Sequence, residues 1–381
     1  MDISLLNTLK DLLNFVDNPF LLLIVASAVI IILVVIVWIT KMVIDLAPYA
    51  YVNARVRSRE GKLLDKSKIS ELLEAGSLEE ILGLLGDTEY SKYLSDIKDE
   101  IDLEKALNQY LAETYEFLYN ISPEKAKKVL KIMMIKFDIK NIKTLIRAKK
   151  LGLSPEETLK LLVPIGTLSK KLKELSEMES VEEIIRGLEG TEYFKILQNA
   201  SNTKEMELLL DKYYLELLRN ALMTEGKEED IFKEFFGTLI DVELLKVLLR
   251  AKVDNISAEE LSKYLTSGYE LPEWKLKELA GAEGIEGVIG GLEGTSYYQI
   301  LSDALDEYQR TKSIYVFEKV LDKLILEKGR ALSLRKPFGV GPIIGLIVGK
   351  ELEIKNLKII IKGKLENLKA EEIRSLLVQV K

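Results

Sequence analysis

Between Phe20 and Ile39 the chain runs through twenty residues without a charge, and Ser27 is the sole polar side chain among them. At 1.5 Å per residue, a helix of that length spans about 30 Å, the thickness of the hydrocarbon core of a bilayer. The pattern predicts one membrane-spanning helix over 19–41. A cleaved signal peptide would want a basic start and a shorter apolar core, whereas this start is acidic, with Asp2, Asp11 and Asp17 against Lys10. A retained anchor is therefore expected. Lys41, Arg55, Arg57, Arg59 and Lys62 follow the helix, and an excess of positive charge marks the cytoplasmic flank. This predicts a single-pass protein of the cell membrane, with 1–18 outside and the main body in the cytoplasm.

Beyond the anchor the apolar positions recur at helical spacing. Val242, Leu245 and Leu249 stack at i, i+3 and i+7, and Leu244 and Leu248 widen the same face. Helix starts are marked by Ser122-Pro123-Glu124, Ser154-Pro155-Glu156-Glu157 and Ser257-Ala258-Glu259-Glu260, where serine caps the first turn and a glutamate can return the bond. A further helix is expected to restart near Pro48, since proline suits a first turn better than a helix interior. An all-α body is expected.

That body repeats itself. Leu85-Gly86-Asp87-Thr88-Glu89-Tyr90, Leu188-Glu189-Gly190-Thr191-Glu192-Tyr193 and Leu292-Glu293-Gly294-Thr295-Ser296-Tyr297 all read Leu-x-x-Thr-x-Tyr, and each reaches another leucine four residues later. A second phrase follows each: Asp138 to Arg147-Ala148-Lys149, Asp241 to Arg250-Ala251-Lys252, and Glu353 to Lys362-Gly363-Lys364. Thr88 to Arg147 and Thr191 to Arg250 are each 59 residues, whereas Thr295 to Lys362 is 67. The period is too long for a small solenoid, whose units run roughly 20 to 50 residues. It predicts three related modules with pseudo-three-fold symmetry, over 42–152, 153–255 and 256–381, with an insertion in the third near 335–345.

Composition narrows the chemistry. Net charge is −7, from 54 basic and 61 acidic residues of both signs mixed along the chain, which argues against nucleic acid as a partner. Cysteine and histidine are both absent. Disulfides, thiol catalysis, His-dependent triads and His or Cys zinc sites are thereby excluded, and no metal or cofactor is expected. The paired acids at helix starts read as caps before they read as catalytic carboxylates. The glycine-rich run Gly339-Val340-Gly341-Pro342 has no dinucleotide spacing, and Pro342 removes an amide donor that a phosphate cradle would need. No Gly-Lys pair is followed by serine or threonine, so ATP hydrolysis is not expected of this chain. A non-enzymatic role is indicated. The anchor and helical body alone would also suit a single-pass membrane scaffold, but three equivalent modules ask for more than that.

Three stretches together resemble one family: Tyr51-Val52-Asn53-Ala54-Arg55-Val56-Arg57, the repeated Leu-x-x-Thr-x-Tyr, and Lys336-Pro337-Phe338-Gly339-Val340-Gly341-Pro342-Ile343-Ile344-Gly345 running into Glu353-Ile354-Lys355-Asn356-Leu357-Lys358. The chain is similar over roughly 47–381 to the C subunit of archaeal and bacterial V-type (A-type) ATP synthases, related to the d subunit of vacuolar ATPases. The resemblance implies an all-α funnel of three modules without catalytic residues, a rotor socket joining the central stalk to the proteolipid ring, in one copy per complex. Pro337, Gly339, Gly341, Pro342 and Gly345 are the candidate partner-binding residues, in a loop over Pro337 to Ile344. Membrane lipid is the expected partner of 19–41. The spanning helix departs from the resemblance, which implies a soluble peripheral subunit.

Overall fold

The computed structural model describes residues 19–94, 97, 100–225 and 230–378, so the segment 1–18 lies outside the described residues. Among the described residues the regular structure is helical, with no strand. Seven long helices carry the architecture: α1 (Pro19–Glu60), α2 (Glu100–Ile121), α3 (Glu124–Leu151), α4 (Thr203–Glu225), α5 (Asp230–Val253), α6 (Tyr315–Arg335) and α7 (Gly341–Leu365). By compactness the chain divides into Met1–Tyr51 and Val52–Lys381.

In the first unit, every side chain from Leu22 to Thr40 is exposed. Among the described residues α1 alone is long and apolar enough to cross a bilayer. Ser27 fits such a helix because its hydroxyl donates to the Ile24 carbonyl at 2.8 Å, which leaves no polar atom of the side chain unsatisfied. The expected restart near Pro48 is corrected. α1 runs through Pro48 to Glu60 without a break, although the proline has no N–H to give to the helical ladder.

The second unit is a closed circuit of helix pairs. α2 packs on α3, α3 on α4, α4 on α5, α5 on α6, α6 on α7, and α7 returns to α2. The apolar stripes read from the sequence supply the contact, with Val242, Leu244, Leu245, Leu248 and Leu249 all inaccessible to solvent. At roughly 1.5–3 kcal/mol for each buried Leu or Val side chain, such stripes outweigh intrinsic helix propensity in fixing where helices form.

α3, α5 and α7 end alike. Gly152, Asn255 and Asn367 adopt left-handed φ values of 70°, 53° and 58°. Behind them the Leu153, Ile256 and Leu368 amides donate to the Ala148, Ala251 and Gly363 carbonyls at 3.0, 2.9 and 2.8 Å. This is a Schellman ending. It accounts for the closing phrase, whose small residue and lysine occupy the last helical turn.

The extra residues of the third repeat do not lie where expected. Tyr90 and Tyr193 each precede the next long helix by ten residues, whereas Tyr297 precedes Tyr315 by eighteen, and a short helix, Leu305–Thr311, occupies that interval. From the end of α2, α4 or α6 to Asp138, Asp241 or Glu353 the distances are nearly equal, at 17, 16 and 18 residues. The 335–345 segment is thus an ordinary turn between paired helices, and the expected loop over Pro337–Ile344 closes at Val340.

Candidate partner-docking site

The candidate residues divide at Gly341. Pro337 and Phe338 are exposed on the turn from α6 to α7, Phe338 by 63%, and Leu334 on the last turn of α6 by 74%. Gly341, Pro342 and Gly345 are buried in the first turns of α7. A Cβ on Gly341 would meet the Lys336 carbonyl oxygen at 2.7 Å, and one on Gly345 would meet the Ser333 Cβ at 2.7 Å. Their absent side chains let α7 close on α6. Pro342 sits in a first turn, where its missing N–H breaks no helical bond.

The turn is held by the body end of α1. Asn53, buried, faces Gly339; with its amide assigned the orientation that satisfies both of its polar atoms, the oxygen accepts from the Gly339 N–H and the nitrogen donates to the Gly339 carbonyl, each at 3.1 Å. Gly339 itself stands at φ 102°, a conformation that favours glycine. One turn on, Arg57 donates to the Ser333 carbonyl at 2.9 Å, the Ser333 hydroxyl at 3.0 Å and Glu60 at 2.6 Å. Two stretches that stand apart in the sequence, 51–57 and 336–345, are therefore one assembly, with Leu334, Pro337 and Phe338 displayed from it. The exposed apolar side chains Leu334 and Phe338 were not among the candidates. The signal for Phe338 was an apolar residue inside a turn, where nothing in the fold required one; Leu334, inside a helix, carried no such signal.

Deeper in the body, the first residue of each closing phrase is a buried carboxylate, and each takes a tyrosine from a Leu-x-x-Thr-x-Tyr phrase. Tyr193 donates to Asp138 at 2.9 Å, Tyr297 to Asp241 at 2.8 Å and Tyr90 to Glu353 at 2.6 Å. Backbone amides complete the sets: Thr167 and Leu168 on Asp138 at 2.8 and 3.0 Å, Tyr269 and Glu270 on Asp241 at 2.7 and 2.8 Å, and Leu64 on Glu353. Lys350, itself 1% exposed, adds a bond to Glu353 at 2.6 Å. The three threonines share one donated bond, from the Thr88, Thr191 and Thr295 hydroxyls to the Leu85, Leu188 and Leu292 carbonyls at 2.6, 2.6 and 2.7 Å, but Thr191 caps a short helix, Glu192–Leu197, by accepting from the Phe194 amide, whereas Thr88 and Thr295 accept from the Tyr90 and Tyr297 amides. Burial, then the adjoining carboxylate, pushes the Tyr90, Tyr193 and Tyr297 hydroxyls far above the usual phenol range, so they remain donors. Burial also raises Asp241, although the Glu270 and Tyr269 amides and the Tyr297 hydroxyl pull it back.

Outside each carboxylate lies a rung of ion pairs. Lys143 meets Asp211 at 2.5 Å, Lys246 meets Asp322 at 2.8 Å, and Lys358 meets Glu104 and Asn108, both at 2.7 Å. Arg147 and Arg250 then reach Glu207 and Glu318 with Nε at 2.7 and 2.6 Å. Burial would lower Lys246, but Glu243 and Asp322 outweigh it and hold the ammonium above its usual range. Asp322 mirrors this: burial raises it, and Lys246 and Lys355 outweigh that and leave it lowered. These groups bind one another and offer no free acid, base or nucleophile. Their chemistry is cohesion.

Residues 52–376 match the model of the ATP synthase (C/AC39) subunit family. The chain is 63% identical to the C subunit of the A-type ATP synthase of Methanocaldococcus jannaschii, with 100% of each chain covered. It is 43% identical to that of Methanothermobacter thermautotrophicus, over 85% of this chain and 86% of the relative. With that of Pyrococcus abyssi the identity is 32%, over 86% and 90%. The chain belongs to the ATP synthase (C/AC39) subunit family, and is a structural subunit of the synthase rather than the catalytic one.

Proposed function

We propose that this subunit is a rotor socket, which joins the central stalk to the proteolipid ring and carries torque between ATP turnover and proton or sodium translocation, in one copy per complex. Its body is read as three modules, 42–152, 153–255 and 256–381, arranged about a pseudo-three-fold axis. The observation that carries this reading is the cyclic order of the buried carboxylates, in which Asp138, Asp241 and Glu353 take Tyr193, Tyr297 and Tyr90. Each carboxylate ties its own module to the next, and the last ties the third to the first. A body that transmits torque must resist shear between its parts, and hydrogen bonds to a buried charge are worth about 1.5–3 kcal/mol each.

The anchor at 19–41 is read as a single span with the body on the cytoplasmic side, from the positive charge that follows it. A helix attached to a turning socket outside the ring would be swept into the stationary membrane subunit once per revolution. The ring lumen is therefore its proposed place. Leu334, Pro337 and Phe338 form the proposed contact with a neighbouring rotor subunit.

Mild-detergent purification through a tag on this chain should bring down nucleotide-binding subunits and proteolipids together. In that complex a single cysteine at Ile30 should crosslink to inward-facing positions of the ring and not to the stator. Recovery of the chain without either class of subunit would sink the socket reading, and stator crosslinks would sink the lumen placement alone.

A further inference from the structure

A cavity of about 390 Å³ opens among α2, α3 and α7, and Leu111, Phe137, Val163 and Ile354 give it an apolar wall. Lysines from α3 and α7 line the rest. Three of them are matched by carboxylates: Lys136 by Glu351, Lys355 by Asp322 and Lys358 by Glu104. Lys140 is not, since no acceptor meets its ammonium among the described residues. Water reaches the Lys140 side chain, yet the cavity walls crowd it. That crowding, then the charges of Lys358 and Lys136, holds the ammonium below its usual range, with Glu104 and Glu351 opposing.

The rung of ion pairs beside this cavity departs from the other two. Lys143, Lys246 and Lys358 each follow Asp138, Asp241 or Glu353 by five residues. Lys143 meets Asp211 and Lys246 meets Asp322, which stand eight and seven residues after the first residues of α4 and α6. Eight residues after the start of α2, facing Lys358 and lining the cavity, the chain carries Asn108 instead. An ammonium can only donate, so the amide turns its oxygen to Lys358, at 2.7 Å, and its nitrogen away. That nitrogen has no acceptor among the described residues, although Asn108 is only 2% exposed. A buried donor left unpaired is costly, and here the charge of a carboxylate is missing as well.

We propose that this cavity binds a small organic monoanion, a carboxylate on a short apolar body, with the carboxylate held by the Lys140 ammonium and the Asn108 amide and the body against Leu111, Phe137, Val163 and Ile354. One uncompensated cation and one unpaired N–H donor suit a single carboxylate. A phosphate dianion would find its second charge unmatched and the apolar wall unused. Small-molecule sites commonly combine a mostly apolar lining with a few placed polar groups, in roughly 300–1,000 Å³. The site belongs to the body itself and is independent of the socket reading.

Equilibrium dialysis of the full-length chain in non-ionic detergent tests this, with labelled phenylacetate as the probe. Phenylacetamide, which keeps the ring without the charge, controls for uptake by the micelle. One saturable site per chain is expected for the acid and none for the amide. K140M and N108D should each weaken binding by about tenfold or more, as loss of a hydrogen bond to a charged group implies. K140R, which keeps the charge, should bind better than K140M. N108D is the sharper variant, because it installs the carboxylate that the other two rungs carry: the probe should be lost while the thermal midpoint holds or rises. Absence of saturable phenylacetate uptake, uptake indifferent to K140M and N108D, or displacement of the probe by equimolar phosphate would each overturn the proposal. So would loss of the Lys140-dependent uptake in the intact synthase, which would make a neighbouring subunit's carboxylate the occupant.

Discussion

Asp322 illustrates how single residues hold this body together. Its carboxylate lies 2.8 Å from Lys246 and 2.5 Å from Lys355, with its side chain 16% exposed. Removing one member of a buried pair leaves the other charge without compensation, at about 3–5 kcal/mol. Glu243 still reaches Lys246 at 3.1 Å, so D322N should cost less, about 2 kcal/mol by denaturant unfolding at pH 7. The carboxyl is held below its ordinary value of 3.8, so its contribution is complete above that value and is lost as pH falls through the lower folded value. The gap between wild type and D322N should therefore close below pH 3.8, and a gap that stays constant down to complete protonation would refute the ion-pair account. Much at this scale was legible in sequence. The phrase tyrosines, the threonines and Asp138, Asp241 and Glu353 were all picked out by repetition. What repetition could not reveal was that they bond to one another, because a tyrosine's acceptor lies 55, 56 or 263 residues away.

At the level of elements, glycine has opposite meanings in different helices. Gly345 brings α7 against α6, where a Cβ would meet the Ser333 Cβ at 2.7 Å, whereas Gly83 in the short helix Leu78–Leu85 has nothing within 4 Å of that position. G345A should lose about 1–3 kcal/mol through overpacking. G83A should gain about 0.5–1 kcal/mol, the usual advantage of alanine in a helix interior. Chemical denaturation of the two variants checks both signs, and a stabilised G345A would show that the helix pair has room to spare. The same contrast explains why Pro337 to Ile344 was read as a loop. Two prolines and three glycines do mark a turn, but only as far as Val340; past it the glycines serve a close helix contact and Pro342 a helix start. The length difference between repeats, likewise, tells how many residues were added but not where. The helix at Leu305–Thr311 became visible only once the long helices could be aligned.

For the whole molecule, the sharpest division is between the exposed apolar stretch of α1 and the packed body. Replacing Ile30, 59% exposed, by lysine would place a charge near the middle of the proposed span. At about 2.5–3.5 kcal/mol for such a residue on insertion scales, I30K should shift the chain measurably from the carbonate-resistant membrane fraction toward the soluble one. Unchanged partitioning would mean that lipid does not surround this position. The long apolar helix was plain from the sequence because charge is excluded for twenty residues. The closed circuit of α2 to α7 was not, since only its repeated unit, and not the return of the last helix to the first, leaves a mark in a linear pattern.

The unequal reach of the three tyrosine–carboxylate pairs sets a timetable for the nascent chain. Asp138 can meet Tyr193, and Asp241 can meet Tyr297, soon after each stretch leaves the ribosome. Tyr90 must wait for Glu353, about 160 residues after Tyr193 has been made, which at about 5–20 residues per second is a delay of order ten seconds. Closing the longer loop also costs about 1.4 kcal/mol more in chain entropy than closing a 55-residue one. Until then the first repeat waits with its phenol lacking an acceptor and the α2 face that α7 will cover still bare, the state in which a growing chain most needs a chaperone.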